Sequence, residues 1–358
     1  MSKSTIEWTE QTWNPIVGCS VVSPGCTNCY AMQMAGRIEA MGNQPRYAGT
    51  TRKVKDKIVW TGKLAQAPDA TLLQPLKRKK PTTYFVNSMG DLFHEEVPDA
   101  WIDRVFAVMA LTPQHTYQVL TKRAERMRDY FLKPVERDGM IDCRRADRIG
   151  DVMLMHHQID SGFKCVPWPL PNAWLGVSTE RQQEADERIP LLLQTPAAVR
   201  FISAEPLLGA IDLTRIIRET EHKAYVDDAL SGFVSNGCGG TNKAKLDWVI
   251  VGGESGPNAR PMHPDWARSL RDQCAAAGVP FFFKQWGNWH PEIDRDNDDP
   301  DWRQPYSSYK EPHFQILNLA GGRGFHGERV HVMRYCSKKS AGRLLDGVEH
   351  NTMPARRP

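Results

Sequence analysis

Short apolar runs ending in small or polar residues, each followed by an amphipathic stretch, constrain this chain more than any other feature. The runs cover residues 84–88, 116–121, 174–179, 199–204, 247–253 and 280–284. Runs this short and continuously apolar read as strands buried on both faces of a parallel sheet. The stretches 98–111, 123–131, 182–194 and 264–277 predict helices. In the second of these, Ala124, Met127 and Phe131 share a face opposite the charges. Alternating strands and helices imply βα units, so the expected fold is α/β, a partial (β/α) barrel of about six parallel strands. A further strand is expected near residues 15–18, followed by a helix over 31–41.

Uneven spacing between the runs implies loop insertions near 132–172 and 221–245. The 358 residues are therefore read as a barrel-like domain over 1–290 and a C-terminal extension over 291–358. The extension is expected to pack on the barrel and to end in a loose basic tail from 351 onward. Hydrophobic residues at 41% and charged residues at 25% exclude a disordered chain. A net charge of +4 permits nucleic-acid contact without demanding it. No apolar run approaches the ~18–20 residues that span a bilayer, and the opening MSKSTIEWTEQ lacks the apolar core of a signal peptide. The expectation is a cytoplasmic protein with no membrane association, whose thiols stay reduced and form no disulfide scaffold.

Three of the eight cysteines nevertheless fall within eleven residues, as Cys19-x6-Cys26-x2-Cys29. Gly18, Pro24 and Gly25 allow the loop to curl so that the sulfurs approach one another. Clustered thiolates in a reducing compartment suit a soft metal centre, either zinc or an iron–sulfur cluster. Structural zinc takes four protein ligands, and no second paired motif is present. Cys143, Cys165, Cys238, Cys274 and Cys336 are isolated. Three thiolates favour a [4Fe–4S] cluster with one open iron; zinc with a fourth ligand elsewhere, or three buried structural cysteines, are the alternatives. Neither G-x-S-x-G nor H-E-x-x-H occurs, which disfavours serine hydrolases and zinc peptidases. His94, His115, His156, His157, His263 and His290 show no ligand spacing.

In βα barrels the working residues lie at the carboxyl ends of strands. Those positions here hold Asp91, Lys122, Arg123, Ser178, Glu180, Glu205, Glu254, Lys284 and Gln285. Lys122 and Arg123 stand at a helix start, where cations oppose the macrodipole. That placement suggests a ligand role, so they join Lys284 and Gln285 as substrate candidates. Among eleven tryptophans, Trp8, Trp13, Trp286 and Trp289 are expected near the mouth, either stacking on unpaired bases or, the favoured reading, filling the core.

The three-cysteine loop ending in Cys-x-x-Cys-Tyr resembles that of the radical S-adenosylmethionine superfamily, although that superfamily usually has three residues in the first gap and this chain has six. The chain resembles more closely a phage-associated, three-cysteine-motif protein family of undefined function. The matching residues include Trp13-Asn14-Pro15, Gly18-Cys19, Ser88-Met89-Gly90-Asp91-Leu92-Phe93, Leu120-Thr121-Lys122-Arg123, Ser203-Ala204-Glu205-Pro206-Leu207, Gly252-Gly253-Glu254-Ser255-Gly256 and Lys284-Gln285-Trp286-Gly287.

The superfamily resemblance implies a [4Fe–4S] cluster on Cys19, Cys26 and Cys29, and S-adenosyl-L-methionine chelated to the open iron. Reductive cleavage of that ligand would release a 5′-deoxyadenosyl radical. It further implies that Ser88, Gly90 and Asp91 contact the methionine amine and that Ser178 and Glu180 contact the ribose, with Glu205 and Glu254 as further cofactor contacts. The implied activity is a radical iron–sulfur enzyme acting on a macromolecule or nucleotide, with phage-related nucleic-acid modification or repair as the leading class. The alternative is a non-catalytic protein, stabilised by zinc or a cluster, that binds nucleic acid or a protein partner.

Overall fold

The computed structural model describes residues 4, 6–137, 140–143, 149, 167–220, 223–235, 240–296, 308–318 and 329–355. Seven strands form one parallel sheet: β1 (Gln11–Trp13), β2 (Thr83–Val86), β3 (Thr116–Thr121), β4 (Ala173–Ser178), β5 (Val199–Ala204), β6 (Trp248–Gly252) and β7 (Phe281–Gln285). Their spatial order equals their chain order, and β1 and β7 do not pair. The result is an open half-barrel of seven strands rather than about six. Helices α1 (Tyr30–Met41), α2 (Asp99–Ala110), α3 (Ala124–Leu132), α4 (Gln182–Gln194) and α5 (Pro264–Ala277) connect them. Among the described residues no helix is long and apolar enough to cross a membrane.

The strands are apolar on both faces because each face has its own core. Val249 and Val251 of β6 join Ile102, Phe106, Ile189 and Leu270 in the helix-covered layer. Trp248 and Ile250, one residue out of phase, join Trp8, Trp174, Phe201 and Phe282 on the concave side. Trp248 is the hub of that layer, with edge-on contacts to Trp8, Trp174 and Phe282 at centroid separations of 6.0–6.1 Å. Alternation along the strands then places Lys122, Ser178, Ser203, Gly252 and Lys284 on the concave side above the aromatic layer. Trp8, Trp13, Trp286 and Trp289 are all buried. They serve as packing, and none is free to stack on a base.

Two expectations are corrected. The strand expected near 15–18 is not the first strand of the sheet; Gln11–Trp13 is. Pro15 has no N–H to continue a ladder, and after Trp13 the chain turns out so that Ile16–Val17 pairs antiparallel with Ala65–Gln66. The chain end is not wholly loose. Phe283 N donates to His350 O at 2.9 Å, Asn351 bridges to Phe282, and Trp248 Nε1 donates to Thr352 O at 2.9 Å. The insertions expected near 132–172 and 221–245 are described only in part. Each contributes small hairpins, such as Ile216–Glu219 with Ala224–Asp227.

Residues Trp289–Asp296, Phe314–Leu317 and Arg329–Tyr335 form a three-stranded antiparallel sheet. Arg268 of α5 ties it down, reaching Asp265 at 2.9 Å, Asp346 at 2.7 Å, and Asp294. Burial alone would raise the Asp294 carboxyl, but the neighbouring His331 ring and the Arg268 guanidinium outweigh it and bring its pKa down to about 2. Hydrogen bonding to Arg268 also lowers Asp346. A carboxylate depressed on folding stabilises the fold above its unfolded pKa and loses that contribution as pH falls through the folded value. Stability is therefore expected to fall between about pH 4 and pH 2. Calorimetry across that range should show the decline blunted in Asp346→Asn.

Candidate functional site

The cysteine loop is built on backbone contacts that leave no room for a Cβ. Gly18 N donates to Met89 O at 3.1 Å, and Gly18 bridges Gly90. A Cβ on Gly90 would lie 2.9 Å from Gly18 O and 3.1 Å from Ile16 O, both fixed backbone atoms. The bare backbone at Gly90 is thus used by the chain's own loop. Gly90→Ala is expected to lower stability by about 1–3 kcal/mol, measurable as a reduced urea midpoint.

Beyond Gly18 the chain makes a 3-10 turn at Pro24–Cys26 and enters α1 with Cys29 as its N-cap. Cys19 and Cys29 pack against Val17, Met32 and Met89, and Cys26 is buried. The thiols interact electrostatically with one another. Burial pushes Cys19 up to about 12, with Asp91 adding and Arg123 opposing. Burial also raises Cys29, partly offset by hydrogen bonding to the Met32 and Ala31 backbone at the start of α1. Burial would raise Cys26 too, but Lys122 and hydrogen bonds at Val22 and Ser23 outweigh it and bring this thiol below its ordinary value. A low thiol pKa marks the more ready metal ligand.

Ion pairs join the strand ends around this loop. Arg123 donates to Asp91 at 2.9 Å, Glu95 at 2.9 Å and Ser20 Oγ at 2.7 Å, and lies 3.6 Å from Cys19 Sγ. Lys122 pairs with Glu180, whose other oxygen takes Arg188 at 2.9 Å. Burial lowers Lys122 to about 8, opposed by the Cys26 charge. Lys284 binds Glu205 at 2.7 Å. Glu254 accepts from Asn28 of the loop at 2.9 Å and from Arg260 at 2.5 Å. Ser23 donates to Glu180 at 2.8 Å, and Gly25 lies so close that a Cβ there would meet Glu180 Oε1 at 2.2 Å. Sheet and loop are therefore cross-linked at both Glu180 and Glu254.

The candidates read from the sequence thus divide. Lys122, Arg123, Glu180 and Glu254 meet the cysteine loop or its hydrogen-bond partners, and the Glu205–Lys284 pair lies across the mouth. Ser178 is the register partner of Ser203 on the concave side. Asp91 accepts from Thr121, Lys122 N, Phe93 N and Arg123, so its carboxylate is engaged within the chain. Ser88 donates to Asn14, and Gln285 donates to Gly253 O at 2.9 Å. The sequence reading missed Ser20, Ser23, Asn28, Arg188 and Arg260. Only Arg188 left a signal: it falls at helical spacing among buried Ala185, Ile189 and Leu192, where an unpaired cation would be costly.

A cleft of about 880 Å³ opens beside the loop, between Pro24, Arg181 and residues 257–261 on one side and the C-terminal sheet on the other. Among the described residues, the cysteine sulfurs belong to no group of three ligand atoms lying within 4.8 Å of one another. They interact electrostatically along one loop without closing around one point.

These features define an α/β protein with an open seven-stranded parallel half-barrel and a three-cysteine loop at the carboxyl ends of its strands. The chain belongs to DUF5131, a family described as a protein of unknown function, whose model matches residues 3–354. No curated protein and no solved structure matches it.

Proposed function

We propose that this chain is a radical S-adenosylmethionine-type iron–sulfur enzyme, with Cys19, Cys26 and Cys29 holding a [4Fe–4S] cluster. The observation that carries the reading is three thiols on one loop at the strand-end mouth, faced by Lys122 and Arg123 and ringed by paired polar groups. The donor set fits. A cubane places each thiolate on a different iron, so its ligands need not crowd one ion's sphere, and the Cys26 thiol lies below its ordinary pKa, with Lys122 beside it. Zinc is less well served, because its ligands must gather at one point.

When bound and reduced, such a cluster supplies the electron that cleaves a carbon–sulfur bond of S-adenosylmethionine. The chain's part is to bind, orient and exclude water. Arg123 and Lys122 offset negative charge at the cysteine loop, which favours electron uptake. Ser178 offers a hydroxyl to the ribose, and Glu205 with Lys284 offers opposite charges to the amine and carboxylate of the methionyl group. Glu254 holds the loop through Asn28. Asp91, Ser88, Gly90 and Glu180 act through the loop and the cations rather than by touching the ligand. The cleft beside Arg181 and Arg260 is the substrate side, and a macromolecule or nucleotide is the substrate class, with phage-related nucleic-acid modification or repair as the leading case.

The test is anaerobic incubation of the reconstituted protein with S-adenosylmethionine and dithionite. Formation of 5′-deoxyadenosine is expected. A protein that carries the cluster yet yields none would reduce the centre to a structural or redox role.

A further inference from the structure

At the junction of α5 and the C-terminal sheet, away from the cysteine loop, His263, Asp265 and His331 each offer a ligand atom, all within 4.8 Å of one another. His263 and Asp265 flank the first residue of α5, and His331 lies on the central strand of the sheet. Both imidazoles are buried, at 0% and 1% exposure, and their ring centroids are 4.2 Å apart.

His331 Nε2 is 3.3 Å from Asp265 Oδ2, and its Nδ1 is 3.0 Å from Asp294 Oδ1. Neither nitrogen is aligned as in a hydrogen bond, and His263 Nε2 has no hydrogen-bond partner. Close but misaligned donor atoms are what two ligands of one ion look like. Asp294 behind His331 has the place of the carboxylate that commonly orients a metal-bound imidazole.

We propose that His263, Asp265 and His331 bind a divalent transition-metal ion, zinc by donor type, which pins the C-terminal sheet to α5. Two imidazoles and a carboxylate suit zinc, whose bonds to such atoms are about 2.0–2.2 Å, and the three atoms, within 4.8 Å of one another, draw together around the ion. Burial holds His263 neutral, with its pKa lowered to about 4, as a ligand requires. His331 is the opposite case: its two carboxylate neighbours raise it despite burial, so the ion must displace a proton there. His263 Nδ1 also accepts the helix-capping bond from Asp265 N at 3.1 Å. Ligation through Nε2 moves the ring proton to Nδ1 and gives up that bond, a small loss beside the affinity of a structural zinc site.

The experiment equilibrates the full-length protein with zinc chloride, removes free ion by gel filtration, and measures retained zinc and its X-ray absorption. About one equivalent per chain, coordinated by nitrogen and oxygen only, is expected. His331→Gln should lose it and Cys26→Ala should keep it, and zinc should raise the melting temperature of the wild type and of Cys26→Ala but not of His331→Gln. Should His331→Gln fail to fold, Asp265→Asn replaces it, with an expected loss of at least about tenfold in zinc affinity. A wild type that retains no zinc, or zinc with sulfur ligands that is lost in Cys26→Ala, would overturn the proposal and leave the group as an ion-pair latch.

Discussion

Glu180→Ala is expected to cost about 3–5 kcal/mol of folding free energy, the range for removing one partner of a buried ion pair. Glu180 has no exposed side-chain surface and is shared by Lys122 and Arg188, which are themselves largely buried. Its removal leaves two cations without a counter-charge and frees Ser23 from the sheet. Urea unfolding monitored by tryptophan fluorescence measures the loss. Glu180→Gln keeps the shape and two of the acceptor contacts but not the charge, so it should fall between the alanine variant and the wild type. A loss below about 1 kcal/mol for the alanine variant would show that solvent screens the pair as it does on a surface.

The second large effect concerns cluster content and not stability. Cys19→Ala, Cys26→Ala and Cys29→Ala are each expected to reduce reconstituted iron by more than about tenfold, since two thiolates hold an iron–sulfur cluster poorly. The fold should survive, because Cys19 and Cys29 pack on a small cluster of Val17, Met32 and Met89, Cys26 belongs to none of the core clusters, and the half-barrel core is untouched. Cys274→Ala is the control. That thiol lies in the helix-covered core, where burial raises it to about 12, and its loss should leave iron content unchanged. Iron unaffected by Cys26→Ala would remove that residue from the ligand set.

Much of the half-barrel is legible because burial on both faces writes itself into short strands. β3 and β5, with α4 and α5, have the bounds that their apolar patterns predict. Gln11–Trp13 is not legible: a three-residue edge strand beside a proline has too few side chains to show alternation. The site divides along the same line. Lys122, Glu180, Glu205, Glu254 and Lys284 could be found because a parallel sheet gathers strand ends at one mouth. Ser23 and Asn28 could not, because each meets its carboxylate across 157 and 226 residues of chain respectively. His331 was hidden for the same reason, since its neighbours His263 and Asp265 lie on a helix that precedes it by more than fifty residues.

The most direct measurement is iron and acid-labile sulfide in the wild-type protein after anaerobic reconstitution. The account predicts about four of each per chain, a brown protein, and an absorption band near the visible edge that bleaches with dithionite. A colourless protein without sulfide, its cysteine loop carrying zinc or nothing, would contradict it.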